Sequence, residues 1–483
     1  MTEPTDTTVK RNKLIINLLL ISAFVVILNE TVMGVAVPHL MKDLGITALA
    51  AQWLTTAFLL TMAVVIPTTG FLIQRISTRR LYIIAMGLFV AGTAVAAIAP
   101  GFEVLLIGRI IQASGTAIML PLLMTTVMRL EPHETLGRRM GNISIVIAVA
   151  PAIGPTISGL ILNGLSWRFL FIFVLPIAIT MLIIGGRRMR NIGETSKAPL
   201  DIFSVILSAF GFGGVVFGLS SLGELGGASG EGNASLLFVP LIVGAFALGA
   251  FIWRQIILQS SERALLNLNT FRTPTFTVSV IMFIICMMGM FGALILLPLY
   301  MQNVLGLSVL NSGLLLLPGG LAMGLLAPFV GRAYDKVGPR PLLLIGATLT
   351  AAALWGLAFS LNVNSSWVVL LIGHITFSIG LAFIFTPLFT SSLGSLPKHL
   401  YSFGSATVST MQQVAAAAGT ALFVAIMSGI AATALSNGAS IAEGFAEGIH
   451  TALLLSAAIS SFAIVTAFFI KKAKKTAGAP TGH

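Results

Sequence analysis

The chain has 483 residues, 57% of them hydrophobic and only 9% charged, with a mean hydropathy of +1.01. Soluble domains carry about 25% charged residues, so this composition excludes a soluble globular protein and implies an all-α polytopic membrane protein. The formal charge of +12 does not point to nucleic acid, because the basic residues sit in short loops between apolar runs and bias topology instead.

The first apolar run, Lys13–Leu40, has Lys10, Arg11 and Lys13 on one flank and Glu30 inside it. It is too long for a signal-peptide core and no small-residue cleavage site follows, so it is expected to stay as the first span. A spanning helix needs about 20 apolar residues. Fourteen runs qualify, at 14–38, 51–73, 80–99, 102–128, 139–163, 167–186, 201–222, 235–256, 273–299, 309–331, 340–361, 366–392, 402–432 and 449–470. Only the first carries an Asp or Glu deep in its apolar stretch. An ionisable group at that depth is costly and marks a functional site by default.

With the N-terminus placed in the cytoplasm, the basic residues alternate as the positive-inside rule requires. The inside segments carry Lys10, Arg11 and Lys13, then Arg75, Arg79 and Arg80, then Arg129, Arg138 and Arg139. Arg187, Arg188, Arg190 and Lys197 follow, then Arg254, Arg263 and Arg272, then Arg332, Lys336 and Arg340. Lys398 and the terminal lysines 471, 472, 474 and 475 complete the set. Of the 27 basic residues only Lys42, Arg168 and Arg109 fall elsewhere. One missed span would scramble this pattern. Both termini are therefore expected in the cytoplasm of a multi-pass plasma-membrane protein. The two longer outside loops, Leu222–Ser235 and Ser436–Gly448, are small-residue and acidic, as flexible loops are.

A weak repeat links the two ends of the chain. Gly70–Arg80 (GFLIQRISTRR) aligns with Gly331–Pro341 (GRAYDKVGPRP), matching Gly70 to Gly331, Gln74 to Asp335, Arg75 to Lys336 and Arg79 to Arg340. Each copy follows the second span of a six-span block. The expected organisation is a six-helix bundle at 1–190, two inserted helices at 191–260 and a second six-helix bundle at 261–483. Parallel repeats of this kind are a transporter signature, with the substrate site between the halves.

These residues resemble the major facilitator superfamily, in its fourteen-helix drug:proton antiporter branch. Gly70–Arg80 resembles the G-x-L-x-D-R-x-G-R loop, and Arg109-Ile-Ile-Gln112-Ala-Ser-Gly115 the R-x-x-Q-G-x-G pattern of span 4. Ala150–Gly159 (APAIGPTISG) resembles the antiporter G-P-x-x-G-G motif, which falls here on Gly154, Pro155 and Gly159. Leu28–Pro38 (LNETVMGVAVP) resembles the L-D-x-T-V-N-V-A-L-P run, and its Asn-Glu-Thr form is similar to lincomycin-resistance-type exporters. Trp167-Arg168-Phe169 and Leu297–Gly306 are also typical of the branch. Two positions depart from the pattern. Gln74 stands where the family has an acidic gate residue, so only the second copy keeps the carboxylate, as Asp335. The family's span-1 acid position is Asn29, and the acid here is Glu30, about 100° further round the helix.

The resemblance implies a proton-coupled exporter of lipophilic and amphipathic drugs, with Glu30 and Arg109 as the proton-coupling pair. Glu30 precedes the outer end of its span near Pro38 by about as many residues as Arg109 follows the start of its own near Phe102. Both therefore lie roughly 10–12 Å below the outer surface. Burial favours a neutral Glu30 and the cation favours a charged one; a static ion pair is the alternative. Asn29, Met33, Gln112, Met287, Met290, Phe291 and Gln412 are the candidate substrate wall, since Met adapts to differently shaped ligands. For Met287, Met288, Met290 and Phe291 the alternative is lipid or core contact. Gln74, Arg75, Arg79, Asp335 and Arg340 form a candidate inner gate, in which the cations pair with Asp335 or with helix C-terminal carbonyls; plain topology signals are the alternative. The glycines of the antiporter motif read equally as close helix packing. His374 in span 12 is expected to be a hydrogen-bonded packing residue, with proton relay as the alternative. Tyr300, Gln302 and Asn303 are expected as interfacial anchors. Gln412 and Gln413 are adjacent, so at most one faces the cavity squarely.

No phosphate-binding loop, nucleophile–base pair or metal-ligand spacing occurs. One cysteine, Cys286, leaves no intrachain disulfide. The expectation is a transporter rather than an enzyme, with no cofactor and no metal, acting as a monomer among membrane lipids on small lipophilic molecules and protons. Export of an endogenous lipid, fatty acid or envelope precursor is the alternative. A reporter active only outside the cell should work when inserted near Gly227 and fail near Lys197 or Lys398; activity at Lys398 would overturn the alternation.

Overall fold

The computed structural model describes residues 6–132, 134–192, 201–225, 234–261 and 263–470. Lys197, Gly227 and the terminal lysines 471, 472, 474 and 475 lie outside the described residues. With no water in the hydrocarbon to satisfy backbone groups, long apolar runs must become helices. They are α1 (Asp6–Leu44), α2 (Ala48–Arg75), α3 (Thr78–Ala97), α4 (Phe102–Leu130), α5 (Leu136–Leu162), α6 (Arg168–Arg188), α7 (Ile202–Leu225), α8 (Ala234–Leu258), α9 (Pro274–Asn303), α10 (Val309–Val337), α11 (Pro339–Ser360), α12 (Trp367–Gly394), α13 (Tyr401–Ser436) and α14 (Ile441–Phe469). Among the described residues, 14 helices are long and apolar enough to cross a membrane. The number agrees with the sequence expectation. Several helices overrun their apolar stretch by a turn or more, because the helix continues into the polar boundary until a cap stops it.

The stops differ on the two faces. Thr47, Ser308, Ser366 and Ser440 cap α2, α10, α12 and α14 by accepting from backbone N–H groups of the first turn. All four caps lie opposite the face that carries the basic loops. On the basic face the turn between α10 and α11 is made by Gly338, whose φ of 82° favours glycine, followed by Pro339 at the start of α11.

The packing repeats along the chain. α3 lies against α4 and α6, as α11 lies against α12 and α14, and α2 packs on α4 as α10 packs on α12. The first set of helices meets the second most extensively at α5 with α10 and at α2 with α13, and also at α4 with α13 and α5 with α12. The α5–α10 contact is close because small residues line it. A Cβ at Gly141 would come within 2.6 Å of the Ala327 carbonyl oxygen, and one at Gly331 would overlap the carbonyl of Gly137.

On the basic half of the molecule the two sets are tied by polar contacts. Asp335 accepts from the backbone N–H groups of Gly137 (2.8 Å) and Arg138 (3.1 Å) in the first turn of α5, where the helix dipole favours a carboxylate. Gln74 Nε2 donates to the His399 carbonyl and the Ser402 hydroxyl, both at 3.0 Å, at the start of α13. The neutral amide thus still reaches across the seam, but as a donor to oxygen rather than an acceptor from N–H. Deeper in, the Thr125 and Ser405 hydroxyls meet at 2.7 Å, and Thr386 donates to Ser144 at 2.8 Å. The basic face is shut.

The two inserted helices lie unequally against the rest. α8 packs on α7 and is otherwise largely exposed, but α7 lies against both α2 and α13 and covers their seam. Phe212, Val216 and Phe251 share one apolar cluster with Ala63 and Phe71 of α2 and Ala406 of α13. At the basic end, Arg254 holds Asp201 through two hydrogen bonds, Nε to Oδ2 at 2.7 Å and Nη2 to Oδ1 at 2.8 Å. That guanidinium keeps the Asp201 carboxyl far below the usual carboxylate range. Beside it, Gln255 Oε1 accepts from Leu265 N (2.6 Å) and Leu266 N (3.2 Å), pinning the segment that leads to α9.

Filling the α5–α10 notch should hold the basic face open. Gly331→Leu forces an overlap that costs about 1–3 kcal/mol, enough for roughly a tenfold shift in the open-to-shut ratio. Labelling of a Ser405→Cys variant by a water-soluble maleimide from the basic face should rise accordingly; unchanged labelling would show that the contact does not control closure.

Candidate functional site

Arg109 lies in the middle of the first set of helices and is only 1% exposed. A buried guanidinium needs every available partner. Its Nη1 donates to Gln112 Oε1 at 2.6 Å, one turn along α4, and to Asn29 Oδ1 of α1 at 3.4 Å. Gln112 is held in turn, its Nε2 donating to Thr93 Oγ1 of α3 at 2.7 Å, while Thr93 donates to the Phe89 carbonyl at 2.6 Å. The guanidinium carbon sits 4.0 Å from the centre of the Phe58 ring of α2. Nε is buried without a hydrogen-bond partner. Four helices therefore converge on one cation, and every group that touches it is neutral.

This convergence depends on small residues. A Cβ at Gly92, Gly108 or Gly115 would run into the backbone of the facing helix, so α3 and α4 approach closely enough for Gln112 to reach Thr93. α1 is clasped by α5 around Glu30. A side chain at Gly154 would overlap the Thr31 hydroxyl, and Ser158 donates to the Val32 carbonyl at 3.0 Å. Gly159 lies beside Leu310 of α10. The motif Gly154–Pro155–Gly159 thus carries α5 between α1 and α10.

Glu30 is half-buried beside this cluster, and Arg109 is the cation that acts on it. Among the described residues it makes no ion pair within 4.0 Å and no hydrogen bond. The equal depth of spans 1 and 4 is real, but it is Asn29 that meets Arg109. One residue further along, Glu30 is turned to a different side of α1.

The other expected residues fall into two groups. Asn29, Met33, Gln112 and Met287 are buried in the packed interior. Met290, Phe291 and Gln412 are half-buried, and Gln413 donates to Met62 Sδ across the α2–α13 seam at 3.9 Å. Of the gate residues, Gln74 and Asp335 cross between the halves. Arg79 Nε donates to the Gly186 carbonyl at the end of α6 at 2.7 Å. Arg340 lies over Phe468 of α14 at 5.3 Å, and Arg75 over Phe71 at 5.9 Å. Arg79 and Arg340, matched in the repeat, thus do matching work: each fixes the end of its helix to a neighbour in its own set. His374 Nε2 bonds the Leu316 carbonyl at 3.1 Å and fills the notch at Gly319, as a packing residue does. Tyr300 is buried and donates to the Asn362 carbonyl at 2.6 Å, while Gln302 and Asn303 are exposed beside it. Phe58 and Thr93 escaped the sequence reading. Counting depth along spans 2 and 3, as for spans 1 and 4, is the signal that would have placed both near Arg109.

The sequence matches the Major Facilitator Superfamily over residues 19–420. It is 39% identical over 460 residues to the lincomycin resistance protein LmrB of Listeria monocytogenes, covering 94% of this chain and 96% of that one. It is 38% identical over 464 residues to LmrB of Bacillus subtilis, covering 94% and 95%. Among solved structures, the human organic anion transporter MFSD10 superposes with a TM-score of 0.64 at 14% identity, over 93% of this chain and 99% of that one. That likeness is one of fold.

Removing the strongest acceptor of the buried guanidinium should be costly. Gln112→Leu deletes a charge-assisted bond and leaves a buried donor unpaired, a loss of about 1.5–3 kcal/mol. Thermal unfolding of the purified protein in detergent should move to clearly lower temperature, and Gln112→Glu, which keeps an acceptor, should recover most of it.

Proposed function

This chain belongs to the major facilitator superfamily, and from that premise we propose that it expels lipophilic and amphipathic drugs from the cell in exchange for protons. The lincomycin resistance named for its relatives supports the substrate class. In this reading the basic face, with both termini, is cytoplasmic, and the membrane is the plasma membrane. Residues 1–190 and 261–483 are the two halves that rock about a central site, and residues 191–260 are the inserted pair. The protein works as a monomer.

One observation carries the proton coupling. Arg109 is held by Asn29, Gln112 and Phe58, so its hydrogen bonds do not depend on Glu30. A carboxyl so placed feels the cation without being locked to it. It can gain a proton without stranding Arg109 and lose one without leaving its own charge unopposed. Glu30 is therefore the proton carrier, loaded from outside as drug leaves and emptied toward the cytoplasm before drug binds again. Arg109 stabilises the charged, empty state.

Met290, Phe291 and Gln412 are the residues assigned to the substrate wall in the state seen here, since they are not fully packed away. Asn29, Met33, Gln112 and Met287 stand behind that wall. Met and Phe suit bulky apolar groups, and a sugar would need more polar partners than these helices offer. Gln74 and Asp335 are the gate contacts that must break for the cytoplasmic side to open, with Arg75, Arg79 and Arg340 holding the helix ends that carry them.

Glu30→Gln tests the reading. In inside-out vesicles, ethidium and lincomycin transport driven by a pH gradient alone should fall to the level of vesicles lacking the protein. Binding of both compounds to the purified variant should persist. Normal pumping by Glu30→Gln would place the proton site elsewhere.

A further inference from the structure

Phe58 is the one contact of Arg109 that is not a hydrogen bond. The ring and the guanidinium are each 1% exposed, and the cation lies over the ring face at 4.0 Å. The ring is backed by Met62 and Ile66 of its own helix and by Ala113 and Ala117 of α4. An aromatic face attracts a cation most strongly where water is excluded, as it is here. The two hydrogen bonds of Arg109 both leave from Nη1, and Nε has no partner. Hydrogen bonding alone therefore does not stop the guanidinium from turning toward Glu30.

We infer that Phe58 is a positioning residue for proton exchange: its ring holds the Arg109 guanidinium on the α2 side, short of an ion pair with Glu30, so that the carboxyl stays free to change protonation. The inference rests on the proposed role of Glu30. The surroundings leave few other charges to do this work. α1 packs against α2, α4, α5 and α6. Apart from Arg109, the charged residues of these four helices, Arg75, Glu103, Arg129, Arg138, Arg139, Arg168, Arg187 and Arg188, lie in end turns. Tyr82 of α3 meets α1 at Ser22, about two turns nearer the basic face. Without the ring the guanidinium turns to Glu30, and the ion pair holds the carboxylate charged over a wider pH range.

Phenylalanines carrying one, two and three ring fluorines at position 58 drain the π face while keeping the ring's shape. Each full-length protein is purified and titrated by infrared spectroscopy, following the carboxyl C=O band that Glu30→Gln removes. The midpoint should move to lower pH with each fluorine and reach about one unit, a tenfold change in proton concentration. Phe58→Leu should move it at least as far, and Phe58→Tyr should leave it in place. A midpoint indifferent to the fluorine series overturns the inference, however Phe58→Leu folds, and lost thermal stability without a shift does the same by reducing the ring to packing. If Glu30→Gln removes no titrating band, the failure belongs to the proposed role of Glu30 itself.

Discussion

A guanidinium buried among membrane-spanning helices has to be solvated by protein, because nothing else there can do it. Arg109 meets that requirement with an amide from α1, an amide from its own helix and a ring face from α2, while α3 braces the second amide through Thr93. Each partner demands a particular helix separation. The glycines at 92, 108 and 115 bring α3 and α4 together, and Gly154 brings α5 onto α1. Much of the first six helices' arrangement can be read as the shape that lets one cation stay in the hydrocarbon. Glu30 is not among the partners that meet the cation's needs.

Backbones approach at glycines both within a set and between sets, at α5 and α10, but the basic half of the surface between sets also carries polar contacts. Within a set, backbones touch at glycines, and helix ends are fixed by Arg79 on the Gly186 carbonyl or Arg340 on Phe468. Between sets, the basic half is held by hydroxyl pairs, one amide and one carboxylate on a helix start. Those groups can exchange their partners for water, because each polar atom finds a solvent partner of similar strength. Gln74 fits this pattern: an amide ends the α2–α13 contact without leaving a bare charge behind.

α7 and α8 belong to neither set, yet α7 covers the seam between α2 and α13. Its Gly213 faces Leu60 and Val64 of α2, and the Asp201–Arg254 pair together with Gln255 fixes the basic end of the hairpin to the segment entering α9. The hairpin therefore lies along one side of the surface between the sets. The opposite side, at α5 and α10, is sealed by small residues.

Hydropathy and the placement of Lys and Arg were enough to count the spans, to divide the polar segments between two faces and to pick out Glu30 and Arg109 as unusual. These are one-dimensional properties: a run is either long and apolar or it is not, and the bilayer enforces the consequence. Depth along a span is also one-dimensional, which is why the level shared by spans 1 and 4 could be counted from the chain. Rotation about each helix axis is not. It is set by how neighbouring surfaces pack, through Gly154 against Thr31 and Gly92 against the α4 backbone. That rotation turned Asn29 rather than Glu30 onto Arg109, brought Phe58 over the guanidinium and laid α7 across a seam between residues distant in the chain. A step of one residue is about 100° of helix, so the angle that decides which side chains meet can only be settled when all the helices are packed together.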